Sequence, residues 1–233
     1  MQLTWFATFH DTTHPDTCVT EPELARLAAR LAQTPDLTCG RVYTPWLSEG
    51  VYHKDGPAPQ LQIQLYYASI TALEAAISSN GSLQFLTDPA TLPSLRNASV
   101  TEQAMLNRDF SHGLPPPPSQ TSYCSYLVHY PGPAQDMNRW HQHYLAGHIP
   151  VMRRFPEIRG VEVASRLDWC SSLPWRRVHY MQRNKVVFDD IDALNAATSS
   201  PVMQDMRADL SHFPPYDGGN KHFAMKTLDI KPR

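Results

Sequence analysis

The sequence predicts an α+β fold built from two tandem βαββαβ repeats, with the antiparallel sheets of the two repeats packed against each other as an intrachain barrel. Two observations predict this fold. A stretch of ten residues recurs at an offset of 121 in the 233-residue chain. Both halves of the chain also alternate between the hydrophobic periodicities of strands and helices. Two separate globular domains are the alternative.

The internal repeat is clearest in a predicted helix. Residues 70–79 and 191–200 are identical at seven of ten positions, and the same register aligns Asp88 with Asp209 further along the chain. A chance likeness between two helices would not extend through their flanks. A stiff proline-rich run is a natural boundary between the copies. We therefore divide the chain into residues 1–112, a linker at 113–121, and residues 122–233.

The elements follow the same order in both repeats. In the first, Pro22 opens a helix predicted over residues 22–33, and a second helix is predicted over 70–79. Alternation of Gln with Leu and Ile over residues 60–67 predicts a strand covered on one side. In the second repeat, strands are predicted over 123–130, 159–166, 178–188 and 221–230, and helices over 136–154 and 190–209.

Each unit of this type is a ferredoxin-like arrangement whose helices cover only one face of its sheet. The bare face needs a partner, and the second copy in the same chain supplies it. We therefore expect one cooperative barrel, with neither half stable alone. Such a chain needs no second molecule to complete its core, so a monomer and a homodimer both remain open.

Composition excludes several classes of function. Twenty Lys and Arg residues balance 22 Asp and Glu residues without a block of like charges, which argues against nucleic-acid partners and a polybasic membrane anchor. No uncharged apolar run approaches the roughly 18 residues of a membrane span, and the opening residues lack the pattern of a signal peptide. The four dispersed cysteines form no metal or redox motif. These features predict a soluble cytoplasmic protein.

The most informative stretch for function lies within the predicted helix 136–154. A stripe of apolar and proton-handling side chains recurs there at every fourth position: Trp140, Tyr144, His148 and Met152. Pro150 removes a backbone donor, so the helix is predicted to break or kink near His148. Such a break would direct the imidazole towards a cavity.

These residues resemble a known family. The pattern His-Tyr-x-x-x-His-x-Pro-Val at residues 143–151 looks like the signature of EthD-like proteins in the dimeric α+β barrel superfamily. Residues 206–213 look like a second recurrent element of that family, in which an aspartate, here Asp209, ends a helix and an aromatic residue, here Phe213, follows. The resemblance covers most of residues 122–230. It implies units that pair as homodimers, whereas this chain fuses two of them.

The first repeat lacks the pattern. At the offset of 121 residues, Leu27 takes the place of His148, and Val19 takes the place of Trp140. We therefore expect the first repeat to be a scaffold and the second to carry any chemistry.

The function that the resemblance implies is broad, because related barrels include accessory proteins of ether degradation, polyketide cyclases, lactone isomerases, cofactor-free oxygenases and haem enzymes. From the residues themselves, His148 is the natural general acid or base, with Tyr144 as a hydroxyl donor on the same face. The predicted substrate-binding residues are Trp140, His143, Met152, His179, Arg183 and Lys185, the last three as cations on the inward face of strand 178–188.

Structural roles compete with these assignments. His148 is alternatively a satisfied helix-end histidine or a ligand of a metal or haem, and Trp140 is alternatively a core residue. Asp209 is most simply a group that ties the helix end to the next loop. Metal-like spacings occur at His141, His143 and His148, and at His10 and His14. Because the helix turns His143 away from the other two, and Pro15 indicates a loop, we expect no bound metal.

The sequence thus predicts a cofactor-independent lyase or isomerase that moves a proton on a small aromatic or polyketide-like compound through His148. Two alternatives remain open. One is a non-catalytic protein that binds a hydrophobic metabolite for a partner oxidase, and the other is a haem-binding barrel enzyme. The substrate is not predictable, because we expect the pocket walls to come from loops such as 45–59 and 167–175.

Overall fold

The computed structural model describes residues 2–46, 55–116 and 122–232. Within these ranges, the chain forms a closed barrel of antiparallel strands surrounded by helices. The first half contains β1 (Gln2–His10), α1 (Glu21–Leu31), β2 (Leu37–Pro45), β3 (Leu61–Tyr67), α2 (Ile70–Ala76) and β4 (Ser99–Asp109). The second half contains β5 (Tyr123–Tyr130), α3 (Met137–His143), a π turn (Tyr144–His148), α4 (Ile149–Met152), β6 (Gly160–Arg166), β7 (Arg176–Arg177), β8 (Gln182–Phe188), α5 (Ile191–Ser199), α6 (Pro201–Leu210) and β9 (Lys221–Ile230).

The strand order confirms the predicted barrel of two repeats. The first repeat is ordered β4-β1-β3-β2, and the second repeats this order as β9-β5-β8-β6. The two sheets join edge to edge, because β2 pairs with β9 and β4 pairs with β6, both antiparallel. The alternative of two separate domains is therefore wrong. Of the predicted linker, residues 117–121 lie outside the described residues.

The offset of 121 residues holds for most of the repeat and then shortens by one. β3 and β8 begin and end 121 residues apart. In the first repeat, Thr4 of β1 lies opposite Met105 of β4. The residue 121 positions after Thr4 is Ser125, and it lies opposite Met225. Met225 follows Met105 by only 120 positions. The segment before the last strand is therefore one residue shorter in the second copy than in the first, and the strand pairing is the same in both.

Apolar side chains occupy the outer faces of both sheets, beneath the helices. The first core includes Trp5, Ile63 and Leu65 from the strands together with Leu27 and Leu73 from the helices. The second core includes Val161, Val186, Phe188, Trp140 and Leu194. Burial of these two outward faces is the main apolar contribution to the fold.

The inside of the barrel is mostly polar, which corrects the expectation that strand 60–67 is covered on one side. Every residue of β3 is buried, because its polar side chains point into the barrel. Gln62, Gln64, Glu162, Arg183 and Lys185 line the interior, where a cavity of only about 10 Å³ remains. In this chain the polar residues of the alternating pattern face the barrel interior. A sheet with one face in solvent would produce the same pattern, so the sequence alone does not distinguish the two.

Three predicted elements differ from the structure. The predicted helix 136–154 does not break at Pro150; the chain stays helical through a π turn, in which the Ile149 N–H bonds to the Tyr144 carbonyl. Pro150 falls in the first turn of α4, where its missing N–H is tolerated. The predicted helix 190–209 is two helices, because Pro201 starts a new one. Within the described ranges, no helix is both long and apolar enough to cross a membrane.

The third difference is the predicted strand 178–188, which begins only at Gln182. The preceding chain crosses to the first repeat, where Trp169 and Leu173 join the first core and Trp175 stacks on Trp5 at 6.2 Å between ring centroids. The loop 167–175 therefore fills space over the first sheet and is not a pocket wall near His148.

Both edge strands of the second sheet, β6 and β9, pair with strands of the first repeat. Residues 122–233 expressed alone would therefore expose these two edges and the polar interior. We expect this fragment to be unfolded, aggregated or self-associated. Size-exclusion chromatography with light scattering and circular dichroism measures this, and a stable folded monomer would contradict the cooperative barrel.

Candidate active site

A cleft of about 240 Å³ opens between the outer face of the second sheet and the π turn, α4 and α6. Most of its lining is apolar and includes three methionines, Met152, Met203 and Met206. The groups able to donate or accept protons are Tyr126, Tyr130, Tyr144, His148, Arg207, Asn220 and His222. A mostly apolar wall with a few convergent polar groups is typical of a small-molecule site.

His148 stands at the end of the π turn, and its ring is tied to helix α6. The Nδ1 atom of His148 lies 2.6 Å from Oδ2 of Asp209, and Nε2 of His143 lies 3.1 Å from the other oxygen of the same carboxylate. The carboxylate is thus held between two histidines.

The electrostatics favour a neutral His148. Burial lowers its pKa from 6.5, and the hydrogen bond and charge of Asp209 oppose this shift only in part. An ionised carboxylate can only accept, so Nδ1 carries the proton and Nε2 keeps its lone pair. The pairing therefore presents Nε2 as a base at neutral pH and stabilises the imidazolium that forms when it takes a proton.

Tyr144 belongs to a buried chain of hydroxyl and amide groups. Asn184 Nδ2 donates a hydrogen bond to its hydroxyl, which in turn donates to the hydroxyl of Tyr130. Burial raises the pKa of both tyrosines, so both stay protonated. The ring of Tyr144 lies 4.9 Å from that of His148.

A second histidine–carboxylate pair borders the same cleft. Oδ2 of Asp55 lies 2.6 Å from Nδ1 of His222 and also accepts the backbone N–H of His222 at 3.0 Å. The His222 ring stacks on Tyr126 at 5.4 Å. Asp55 belongs to the first repeat, so a residue of that repeat holds a histidine of the cleft wall.

The remaining predicted residues divide between the cleft and its surroundings. Met152 lines the cleft. His143 contacts Asp209 and lies against Phe213, outside the cleft wall. Trp140 is completely buried and stacks on Tyr144 at 5.2 Å, so it is a core residue and not a platform for ligand.

The prediction that three cations of strand 178–188 join this site is wrong. Arg183 and Lys185 line the barrel interior, on the opposite face of the sheet from His148. The neighbouring residues Asn184 and Val186 are those that face the helices. His179 precedes β8 and is exposed. Strand alternation correctly puts Arg183 and Lys185 on the same face of β8. It does not reveal whether that face meets the helices or the barrel interior, because this depends on how the barrel closes.

Sequence reasoning missed Asp209 as the partner of His148, the pair of Asp55 and His222, and the lining residues Tyr126, Tyr130, Arg207 and Asn220. A signal existed for Asp209, because it belongs to the second motif that resembles EthD-like proteins. No local pattern marks Asp55, since its contact with His222 spans 167 residues. Among the residues described, no three His, Cys, Asp or Glu side chains are grouped to hold a metal ion.

Comparisons with known proteins agree on the fold. No family model and no curated protein matches this sequence. A candidate monooxygenase from Lactobacillus acidophilus NCFM matches with a TM-score of 0.56 at 7% identity, over 99% of this chain and 97% of its own. An anthrone oxidase-like protein matches with a TM-score of 0.58 at 12% identity, over 98% and 93%.

Two further solved structures were matched. A chlorite dismutase variant from Candidatus Nitrospira defluvii has a TM-score of 0.50 at 9% identity, over 96% of this chain and 90% of its own. An EthD family protein from Bacillus halodurans covers 44% of this chain and 95% of its own, at 18% identity and a TM-score of 0.37. The full-length similarities confirm the α+β barrel fold that the resemblance implied.

Replacing Asp209 by Asn removes the charge that raises the pKa of His148, so we expect that pKa to fall further below 6.5. Histidine ring NMR over a pH titration measures it. Asp205→Asn is a matched control, because Asp205 lies one turn earlier on α6 and pairs only with exposed Arg154 among the contacts described. Equal His148 titrations in the two variants would refute the pairing.

Trp140→Ala tests whether Trp140 is a core residue. Loss of a fully buried indole is expected to lower the free energy of unfolding by about 3–5 kcal/mol, measured by urea denaturation. A loss below about 1 kcal/mol would show that the ring contributes little to the core.

Proposed function

We propose that this protein is a cofactor-independent enzyme, a lyase or isomerase, that removes a proton from a small, flat, apolar carbonyl compound with His148 as the general base. The observation that carries the proposal is the 2.6 Å contact between Asp209 and Nδ1 of His148, made at the wall of an apolar cleft. His148 lines this cleft, and with Nδ1 bonded to Asp209 its Nε2 keeps the lone pair that a general base needs.

The chemistry follows from that geometry. His148 Nε2 takes a proton from a carbon next to the carbonyl, and the electrons of the broken C–H bond move onto the carbonyl oxygen as an enolate. Return of the proton to another atom completes an isomerisation, and expulsion of a leaving group completes an elimination. The Asp209 carboxylate stabilises the imidazolium between these steps.

Other cleft residues suit the charge that develops on the substrate. Arg207 is an exposed cation at the cleft and offers a partner for an enolate oxygen. His222, held through Nδ1 by Asp55, offers a second site for proton transfer. The methionine-rich wall suits a flat hydrophobic ligand, since thioether side chains adapt to irregular shapes.

The size of the cleft argues against the haem alternative. Its volume is about 240 Å³, at the small end of the range for ligand pockets. A four-pyrrole macrocycle is larger than the ligands that such pockets hold. No step of the proposed mechanism uses haem.

A second candidate function, a cofactor-free oxygenase, shares the first step. The structural neighbours named as a candidate monooxygenase and an anthrone oxidase-like protein favour it. In that reaction the carbanion left after proton removal would transfer electrons to molecular oxygen. Oxygen consumption distinguishes it from the lyase or isomerase reaction.

The test measures deuterium incorporation into anthrone in deuterated buffer under nitrogen, by mass spectrometry. We expect His148→Gln to reduce exchange about 10²–10⁴-fold, the usual contribution of a general base. The exposed residue His212 provides the matched control His212→Gln, which should keep the wild-type rate. The wild-type rate should rise with pH up to the lowered pKa of His148 and then level off.

The outcomes separate the functions. Exchange without oxygen consumption in air supports the lyase or isomerase, and oxygen uptake with an oxidised product supports the oxygenase. A ligand that raises the melting temperature without any exchange would indicate a non-catalytic binding protein. Equal exchange in His148→Gln and wild type would refute the role of His148.

A further inference from the structure

The barrel interior holds a cation that the proposed mechanism does not use. Arg183 is only 3% exposed, and no carboxylate pairs with it among the residues described. Its two hydrogen bonds, from Nη1 to Thr8 Oγ1 and Gln62 Oε1, are both long at 3.4 Å. Its Nε atom has no partner within the described chain. A buried charge without a counterion is unfavourable, so the site calls for an anion.

The other interior charges already balance one another. Lys185 lies 2.7 Å from Glu162, and Arg41 lies 3.6 Å from Glu162 and 3.4 Å from Asp229. These contacts consume the carboxylates that the described residues place inside and at one end of the barrel. The guanidinium of Arg183 is left with the faces of two aromatic rings, Phe6 and Tyr180, each 4.8 Å from Cζ. Ring faces attract a cation but leave its N–H donors unsatisfied.

A second buried nitrogen without a partner borders the same cavity. His129 is 5% exposed, packs against Tyr180 and Phe223, and has no partner for Nε2 among the described residues. Both His129 and Arg183 line the interior cavity of about 10 Å³, which is room for one water-sized species. The cavity therefore limits the ligand to one small species, about the size of a water molecule or a halide.

The repeat shows that this charge is not needed to build the barrel. At the offset of 121 residues, Gln62 matches Arg183 and Thr8 matches His129, and both neutral residues are buried or partly buried in equivalent strands. An uncharged amide therefore suffices at this position in the first repeat. The arginine adds a positive charge to one repeat only.

We propose that the barrel interior binds one halide-sized inorganic anion, chloride under ordinary conditions, between the guanidinium of Arg183 and the imidazole of His129. The anion accepts the unpaired Nε–H of Arg183 and, with the proton of His129 on Nε2, the N–H of that ring, and it neutralises the buried charge. It binds only the closed barrel, so it stabilises the folded protein. The site is separate from the His148 cleft, because the sheet lies between them.

Crystals of the full-length protein soaked in bromide test the location. We expect an anomalous peak within hydrogen-bonding distance of Arg183. A water molecule alone, or a carboxylate of the chain on the guanidinium, would overturn the proposal. This measurement uses the wild-type protein and does not depend on a variant that folds.

Thermal unfolding tests the energetic role. Replacing gluconate by chloride at constant ionic strength should raise the melting temperature in a saturable manner, by roughly 5–10 °C when chloride exceeds its Kd about a hundredfold. Arg183→Gln, which reproduces the amide that Gln62 supplies in the first repeat, should abolish the response. Arg96→Met, at an exposed arginine, should keep it. An equal response in Arg183→Gln and wild type, or none in wild type, would overturn the proposal.

Discussion

Pairing of strand edges between the two repeats is the constraint on which the rest of this structure depends. Because β2 joins β9 and β4 joins β6, the two sheets close on themselves and bury both of their faces. The outer faces become two apolar cores beneath the helices, and the inner faces become a polar interior. Closure also brings residues of the two repeats into contact outside the strands. Asp55 bonds to His222, and Trp175 stacks on Trp5.

Among the described residues, the cleft beside a paired histidine lies in the second repeat. In the second repeat, His148 and Asp209 meet where α6 crosses the π turn. At the matching positions of the first repeat, Leu27 and Asp88 border a surface depression that contains no histidine. Trp169 and Leu173 from the second repeat join the core over the first sheet. The two repeats therefore differ at matching positions, and the histidine–carboxylate pair lies in the second.

Local pattern predicted much of this structure, and contacts between distant residues decided the rest. Periodicity gave the bounds of strands 123–130 and 221–230 correctly, because both have a core on one face. The stripe at every fourth position correctly grouped Tyr144, His148 and Met152 at one cleft. Arg183 and Lys185 were misplaced because an alternating strand does not reveal which face meets the helices. The start of β8 was misplaced because the chain before it packs on the first repeat, where the Val178 N–H bonds to the Glu102 carbonyl.

The central claim is that Asp209 holds His148 as a neutral base with its reactive nitrogen towards the cleft. Nitrogen-15 NMR of labelled histidine in the wild-type protein at neutral pH reports which ring nitrogen of His148 carries the proton. The structure predicts a proton on Nδ1 and an unprotonated Nε2. A proton on Nε2, or a fully protonated ring, would contradict the account.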